Sequence, residues 1–382
     1  MSNKALIIGG SNGIGLAIGH QLLERGYEKI HVLDRSDPPS DFKDKIDFTR
    51  FNLLSDDYSI LNQFTDINTL VVTAGFGRIA LFEDITDAEI INGFKVNSVA
   101  VCRIIRHFYQ RIVDNKDFYC CVTGSIAGLI SSPMFAVYGA TKASVCKFIE
   151  SINIEIEKAG STNRVLNLSP GLIKGTRFYG NENNPEELRG LAEEMIEKML
   201  KKESLFIPFY EEIYKDVITR YQTQPDQFGK ESYDYKNQSD HRKSTKPQFT
   251  IGYLSGTFDL FHIGHLNLLK RAKEYCDYLV VGVHKNALHK NKTTFISFEE
   301  RLEIIKSIRF VDKVIQSYKE DTDAYKEIKY DYLFVGSDYN GSDRFNKYED
   351  YFKDKAVKII YLPYTQRTSS TQIRNLIDSA NI

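Results

Sequence analysis

Ala5-Leu6-Ile7-Ile8, then Gly9-Gly10-Ser11-Asn12-Gly13-Ile14-Gly15, then an apolar-periodic stretch over residues 16–25, is the segment that decides the fold. A short apolar run that breaks into glycines and resumes with helical period reads as strand, turn, helix. Glycines let the backbone pass close to a pyrophosphate. The helix that follows offers unbonded N–H groups and the positive end of its dipole. The turn therefore reads as a dinucleotide-binding site contacted through Gly9, Ser11, Asn12, Gly13, Ile14 and Gly15. A second signature lies far downstream, Gly256-Thr257-Phe258-Asp259-Leu260-Phe261-His262-Ile263-Gly264-His265, again after an apolar run. Two imidazoles around a glycine at the start of a helix can donate to phosphate oxygens, so this loop reads as a nucleotidyl-transfer site.

The 382 residues suffice for two or three domains. Over residues 1–222, strand patterns at 5–8, 29–33, 69–73, 118–123 and 164–168 alternate with amphipathic helices, which argues for a parallel sheet covered on both faces. Residues 223–248 are polar, poor in aliphatics and without period, and read as a linker. The alternation restarts over 249–382, with strands expected at 249–254, 278–283, 332–335 and 357–362 and helices at 265–274, 299–308 and 369–377. The expected fold class is α/β: a Rossmann doubly wound parallel sheet followed by a second, smaller Rossmann-like α/β domain.

A net charge of −1 removes any bulk electrostatic case for nucleic acid or an acidic membrane as partner. No run reaches the roughly 18 apolar residues of a membrane span. The N-terminus enters a strand without a signal-peptide pattern, so a cytoplasmic location is expected by default. Cys102, Cys120, Cys121, Cys146 and Cys276 lack metal-type spacing, and most lie in apolar stretches, as buried reduced thiols do.

The second strand ends at Asp34-Arg35, about 20 residues after the glycines, where a carboxylate can accept from an adenosine ribose and repel a 2′-phosphate. That favours NAD(H) over NADP(H), with Arg35 able to offset part of the repulsion. Tyr138 and Lys142 lie four apart, one helical turn, so both can face the same way. Ser125 precedes Tyr138 by 13 residues, and Asn97 stands in Lys-Val-Asn-Ser-Val-Ala. In order and spacing, Gly9, Gly13, Gly15, Asn97, Ser125, Tyr138, Lys142 and Pro170-Gly171 resemble the short-chain dehydrogenase/reductase family. The resemblance covers residues 1 to about 180. It implies that Tyr138 gives a proton to a carbonyl oxygen and that Lys142 supplies the charge that lets a phenol, ordinarily of pKa about 10, do so. It further implies that Ser125 binds the carbonyl, that Asn97 orders a water relaying protons to Lys142, and that Lys142 also holds ribose hydroxyls. The family's Asn-Asn-Ala-Gly reads Val72-Thr73-Ala74-Gly75 here, with Ala74 and Gly75 kept on the cofactor side. Its threonine after Pro-Gly comes one residue late as Thr176, and its C-terminal Asp-Gly-Gly region is absent. Lys174 and Arg177 lie where family members close over substrate, which points to an anionic substrate.

The second signature, with Arg271-Ala272-Lys273, Arg309-Phe310-Val311-Asp312 and Gly336-Ser337-Asp338-Tyr339, resembles the His-x-Gly-His nucleotidyltransferases. Within them it resembles glycerol-3-phosphate cytidylyltransferase and its ethanolamine- and choline-phosphate relatives, over nearly all of residues 250–380. The resemblance implies that Gly256, Thr257, Phe258, His262, His265, Lys290, Asp338, Ser369, Ser370 and Thr371 bind nucleotide. It implies catalytic duty for His262, His265, Lys292 and Arg301, and Mg²⁺ bound with CTP. The motif arginine is displaced, with Tyr364 in its place and Arg367 three residues later.

Together these readings lead to a bifunctional enzyme. One site reduces a ketose or aldose phosphate to a polyol phosphate; the other joins that phosphate to CTP. The pairing resembles fused reductase–cytidylyltransferases that make CDP-ribitol for bacterial surface polymers, while the transferase resemblance favours glycerol. A cytidylyltransferase with a non-catalytic dinucleotide-binding domain is the second reading, and an adenylyltransferase the third. Both families self-associate, so a homodimer or higher oligomer is expected.

Overall fold

A computed structural model describes residues 3–54, 57–176, 184–238, 250–286, 293–363, 372–374 and 379. The chain divides into two compact units, Met1–Gln248 and Phe249–Ile382.

In the first unit the chain runs β1 (Lys4–Ile8), α1 (Gly13–Glu24), β2 (Lys29–Asp34), α2 (Ser40–Lys43), β3 (Asp47–Arg50) and β4 (Thr69–Val72). It continues α3 (Asp87–Phe94), α4 (Ala100–Ile112), β5 (Tyr119–Thr123), α5 (Ala136–Lys158), β6 (Val165–Leu168) and α6 (Arg189–Leu200). It ends β7 (Leu205–Phe206), α7 (Lys215–Thr223) and α8 (Pro225–Gln238). The strands form one parallel sheet in the order β3-β2-β1-β4-β5-β6-β7. Because both faces are covered, the central strands are apolar along their length. Leu6, Ile8, Leu70 and Val72 pack against Ile104, Phe108, Val145 and Ile149 on one side. Ala5, Ile7 and Val32 pack with Leu16, Ile18, Phe42 and Met195 on the other. Strand order reverses between β1 and β4, which opens a crevice at their carboxyl ends.

Two local departures from regular helix bear on the site. α3 begins with a capping box in which Thr86 and Glu89 satisfy each other's backbone N–H groups. It then runs into α4 through a π-helical turn, Lys95–Val99, that carries Asn97. The expected linker over 223–248 is helical in its first half. Pro225 pre-sets the first turn of α8, Phe228 is buried against the Tyr221 ring, and Lys236 bonds to the body of the unit. A polar segment without period thus takes its helix from three contacts with its own unit.

The second unit is β8 (Ile251–Gly256), α9 (Ile263–Tyr275), β9 (Tyr278–Val283), α10 (Phe298–Lys306) and β10 (Lys313–Gln316). Then come α11 (Asp321–Ile328), β11 (Tyr332–Gly336), α12 (Asp343–Phe352) and β12 (Lys358–Leu362). Its parallel sheet has the order β10-β9-β8-β11-β12, reversing between β8 and β11. Leu254, Leu269, Val281, Ile305 and Phe334 form its core. Most of the helix expected over 369–377 lies outside the described residues. Among the described residues no helix is long and apolar enough to cross a membrane. All five cysteines are free thiols; Cys102 is partly exposed and the other four are buried.

Phe42 is fully buried and packs on the His20 ring. Phe42→Ala should destabilise the first unit by about 3–5 kcal/mol, read as a lower urea midpoint for that unit by circular dichroism.

Candidate active sites

At the crevice of the first sheet, Gly9 adopts φ +93°, and a Cβ there would come within 2.4 Å of the Ala74 nitrogen. Glycine is required on both counts. Thr73 Oγ donates to the Gly9 carbonyl (2.9 Å), tying the glycine turn to the loop after β4. This is what the Val72-Thr73 departure accomplishes. α1 starts at Asn12, whose side chain makes no cap hydrogen bond, so the positive end of the helix dipole lies at the crevice. The buried Ser11 hydroxyl has no hydrogen-bond partner among the described residues. Asp34, at the end of β2, accepts from Ser11 N–H (3.0 Å) and Ser36 N–H (2.9 Å), which holds its carboxylate beside the turn. A glycine turn at a helix start, an orphaned hydroxyl and a fixed carboxylate fit a dinucleotide whose pyrophosphate lies on α1 and whose ribose meets Asp34. Thr176 lies against Gly13 and bonds back to Ile173, so the late threonine still reaches the turn. Lys174 is exposed, and Arg177 lies outside the described residues.

The acid–base group forms where α5 passes the ends of β4 and β5. Tyr138 and Lys142 are one turn apart on α5, with the Lys142 ammonium 5.8 Å from the Tyr138 ring centre. Ser125, after β5, lies close enough to the Tyr138 phenol to lower its pKa and bonds to the Pro170 carbonyl (3.4 Å). Burial pushes the phenol up to about 12, with Ser125 opposing, so Tyr138 holds its proton at neutral pH and can donate it. Lys142, 3% exposed, donates to the Thr123 carbonyl (2.8 Å), and burial pushes it down to about 8. Gly75 leaves room here: a Cβ on it would lie 3.3 Å from Lys142 Nζ and 3.1 Å from Asn97 Oδ1. The π turn aims Asn97 at the same loop. Its Oδ1 accepts from Phe76 N–H (3.0 Å), and its Nδ2 donates to the Phe76 carbonyl (2.8 Å) and Thr141 Oγ (3.0 Å). Asn97 thus fixes the strand-to-loop exit beside Lys142. A mostly apolar cavity adjoins Tyr138, lined by Phe76, Phe82, Met134, Phe135 and Val137, with the Arg78–Glu89 ion pair in its wall.

In the second unit β8 delivers Gly256-Thr257-Phe258-Asp259 to the crevice. Phe258 (φ +53°) and Leu260 (φ +50°) both adopt left-handed backbone, strain of the kind that gathers at functional loops. His262 and His265 make a capping box of imidazoles: His262 Nδ1 accepts from Gly264 N–H (3.0 Å), and His265 Nδ1 from His262 N–H (3.4 Å). Their rings stack at 4.0 Å. With both Nδ1 atoms accepting, the neutral rings carry their protons on Nε2, at the positive end of α9. Burial lowers the His262 pKa, which keeps it neutral. The Thr257 hydroxyl is buried without a partner among the described residues, a second orphan inside a motif turn. Asp338 is exposed in the turn after β11, at the same sheet edge as Gly256.

Arg301 sits differently from its expected place. It is 0% exposed and donates to four main-chain carbonyls: Ile296, Thr257, His284 and Lys285 (2.5–3.0 Å). It knits together the loops after β8 and β9 and the approach to α10, a positioning duty beneath the site. Asp259, 4% exposed and not singled out from sequence, accepts from Phe295 and Ile296 N–H and pairs with Arg374. Its place in the Gly-Thr-Phe-Asp motif was the available signal. Lys290, Lys292, Tyr364, Arg367, Ser369, Ser370 and Thr371 lie outside the described residues. Among the described residues no group of three or more His, Cys, Asp or Glu side chains could hold a metal ion.

Residues 253–376 match the family model described as cytidylyltransferase-like, and residues 3–187 match that of the short chain dehydrogenases. Glycerol-3-phosphate cytidylyltransferase of Bacillus subtilis is 37% identical over 126 residues, 32% of this chain and 92% of the relative. A short chain dehydrogenase from Burkholderia cenocepacia, solved in complex with NADP, superposes with TM-score 0.52 at 19% identity, covering 59% of this chain and 97% of that one. A short chain dehydrogenase/reductase from Burkholderia phymatum, in complex with NAD, gives 0.52 at 16%, covering 59% and 95%. These two likenesses show the fold.

Two substitutions separate chemistry from support. Lys142 has a lowered pKa, so the unfolded chain binds its proton more readily and the buried ammonium costs stability at neutral pH. Lys142→Met should therefore melt no lower than the parent at pH 7 by calorimetry. Arg301→Met should cost the second unit about 3 kcal/mol or more, because several buried carbonyls lose their donor, and should leave the melting of the first unit unchanged.

Proposed function

Because the chain carries a short-chain dehydrogenase domain and belongs, over its C-terminal third, to the cytidylyltransferase family, we propose that it makes a CDP-polyol in two steps. Its first site reduces a sugar phosphate to a polyol phosphate, and its second transfers CMP from CTP to that phosphate. The observation that carries the reading is the presence on one chain of the Ser125–Tyr138–Lys142 group and the paired imidazoles of α9. A reductase makes a hydroxyl and a cytidylyltransferase consumes a phosphate, so a shared intermediate must bear both.

In the first step the nicotinamide cofactor supplies the hydride. Tyr138 gives its phenolic proton to the carbonyl oxygen, and Ser125 donates a hydrogen bond to that oxygen as its charge grows. The Lys142 charge stabilises the phenolate left behind. Asp34 favours NAD(H) over NADP(H), since a carboxylate fixed beside the ribose repels a 2′-phosphate. In the second step an oxygen of the polyol phosphate attacks the α-phosphorus of CTP, and the bond to the β-phosphate breaks, releasing pyrophosphate. His262 and His265 donate to the crowded phosphate oxygens, and Lys290, Lys292 and the hydroxyls of Ser369, Ser370 and Thr371 are assigned to the triphosphate. Mg²⁺ would arrive with CTP.

The product is CDP-ribitol, CDP-glycerol or a similar CDP-polyol, suited as a donor for bacterial surface polymers. The enzyme is read as a cytoplasmic homo-oligomer. Exposed Ile91, Phe94 and Val99 on the α3–α4 rod and Ile154 on α5 support self-association. The reductase domain is placed over residues 1–222 and the transferase over 249–382.

Tyr138→Phe should reduce carbonyl reduction by about a thousandfold or more while sparing pyrophosphate release from CTP, and His265→Ala should do the reverse. Loss of both activities in either folded variant would refute the two-site reading. Incubation with NADH or NADPH, CTP, Mg²⁺ and a panel of ketose and aldose phosphates should give one CDP-polyol, named by its mass. NADH binding without turnover on any of the panel would instead support a non-catalytic first domain. Release of pyrophosphate from ATP rather than CTP would indicate an adenylyltransferase.

A further inference from the structure

The loop after β4 forms one side of the cavity beside Tyr138. Gly77 lies against the Tyr138 ring, where a Cβ would come within 2.3 Å of Cδ2, and Ala80 N–H donates to the Met134 carbonyl (2.9 Å). Between these two contacts stands Arg78, which lines the cavity together with Tyr138. Its guanidinium is held along one edge. Nε and Nη2 (3.1 Å) donate to the Glu89 carboxylate, and Nη2 donates also to the Asp84 carbonyl (2.6 Å). Glu89 is itself fixed, because it closes the capping box of α3 with Thr86. The side chains are 13% and 6% exposed, so the pair is a rigid, nearly buried part of the wall.

Other polar side chains of that wall are already bonded to protein groups. Asn97 joins the main chain of Phe76 and Thr141 Oγ, and Thr141 Oγ donates to the Tyr138 carbonyl (2.7 Å). The bonds of Arg78 use Nε and Nη2; its Nη1 has no partner among the described residues. Glu89 balances the charge of Arg78, so the pair exerts little net pull on a phosphate. What it offers is an N–H donor beside a carboxylate acceptor, within a wall of Phe76, Phe82, Met134 and Phe135. A hydroxyl is both acceptor and donor and matches that combination. A few fixed polar groups on an apolar wall are what orients a small ligand.

We propose that Arg78 is a specificity-determining residue of the reductase site: its Nη1 donates to a chain hydroxyl of the carbonyl substrate, and Glu89 accepts from the same hydroxyl. This deepens the reading of the first site as a sugar-phosphate reductase and rests on it. It puts the hydroxylated carbon chain in the cavity beside Tyr138 and leaves the phosphate outside it.

The test uses the full chain with NADH and measures kcat/KM for a ketotriose, a ketopentose and an aldopentose phosphate, each beside analogues that lack one chain hydroxyl. With the unaltered protein, removal of one particular hydroxyl should lower kcat/KM about tenfold or more, because a charged donor in an apolar wall then has no acceptor. Arg78→Met should bring that ratio close to one and leave the ratios for the other hydroxyls where they were. The double change Arg78→Met with Glu89→Gln leaves no unpaired carboxylate and keeps the capping box, so it supplies the result should Arg78→Met not fold. NADH binding and melting temperature confirm that each variant is folded. A uniform fall for every sugar with the ratios preserved would assign the pair to support alone and overturn the proposal. An unaltered protein indifferent to every hydroxyl would overturn it as well, and either result leaves the sugar-phosphate reading standing. An unaltered protein that reduces none of the sugar phosphates overturns that reading and the proposal with it.

Discussion

A parallel strand has to be left at its carboxyl end, and the crossover that returns the chain begins with a helix whose first N–H groups have no partner. Everything functional in this protein follows from that constraint. In each sheet the strand order reverses once beside the first strand, between β1 and β4 and between β8 and β11, leaving the loops there uncovered by a crossover. α1 and α9 both start at that gap, one opened by glycines and the other capped by imidazoles. The same architecture thus places a glycine turn at the gap in one unit and a pair of imidazoles in the other.

Holding those loops takes more hydrogen bonds than the chemistry itself. Thr73 ties the glycine turn to the next loop, and Asn97 fixes the exit of β4. Arg301 gathers four carbonyls, and Asp259 gathers two N–H groups and Arg374. A reacting atom must be placed to a fraction of an ångström, and loop backbone with few ladder bonds of its own cannot do that unaided. Buried polar side chains bonded to main chain are the means used in both units.

Sequence reading recovered the elements whose burial is written in their own residues. β1, β4, β5 and β9 are apolar runs because both faces of the sheet are covered. It missed β3, β7 and β10, which lie at sheet edges; the first and last carry charged or polar ends and β7 has two residues. It took α8 for linker because that helix depends on Phe228 and Lys236 meeting distant partners. The sites divide the same way. Ser125, Tyr138 and Lys142 were legible because a helical turn and a fixed strand-to-helix distance set their spacing. Asp259 and Arg374 are joined across 115 residues, a relation no local pattern records. Arg301 was visible as a motif residue, but its burial was not, since a guanidinium satisfied by carbonyls looks in sequence like one offered to substrate.

The imidazole cap on α9 has a consequence for acid. Each ring holds a backbone N–H through Nδ1 and can do so only while that nitrogen is unprotonated. A proton placed there turns an acceptor into a donor that faces another donor. For His262, whose pKa is already lowered by burial, the contribution to folding is present above the ordinary imidazole range and is lost as pH falls through it. As His262 takes up a proton the start of α9 loses a cap, so mild acid would loosen the loop that follows β8.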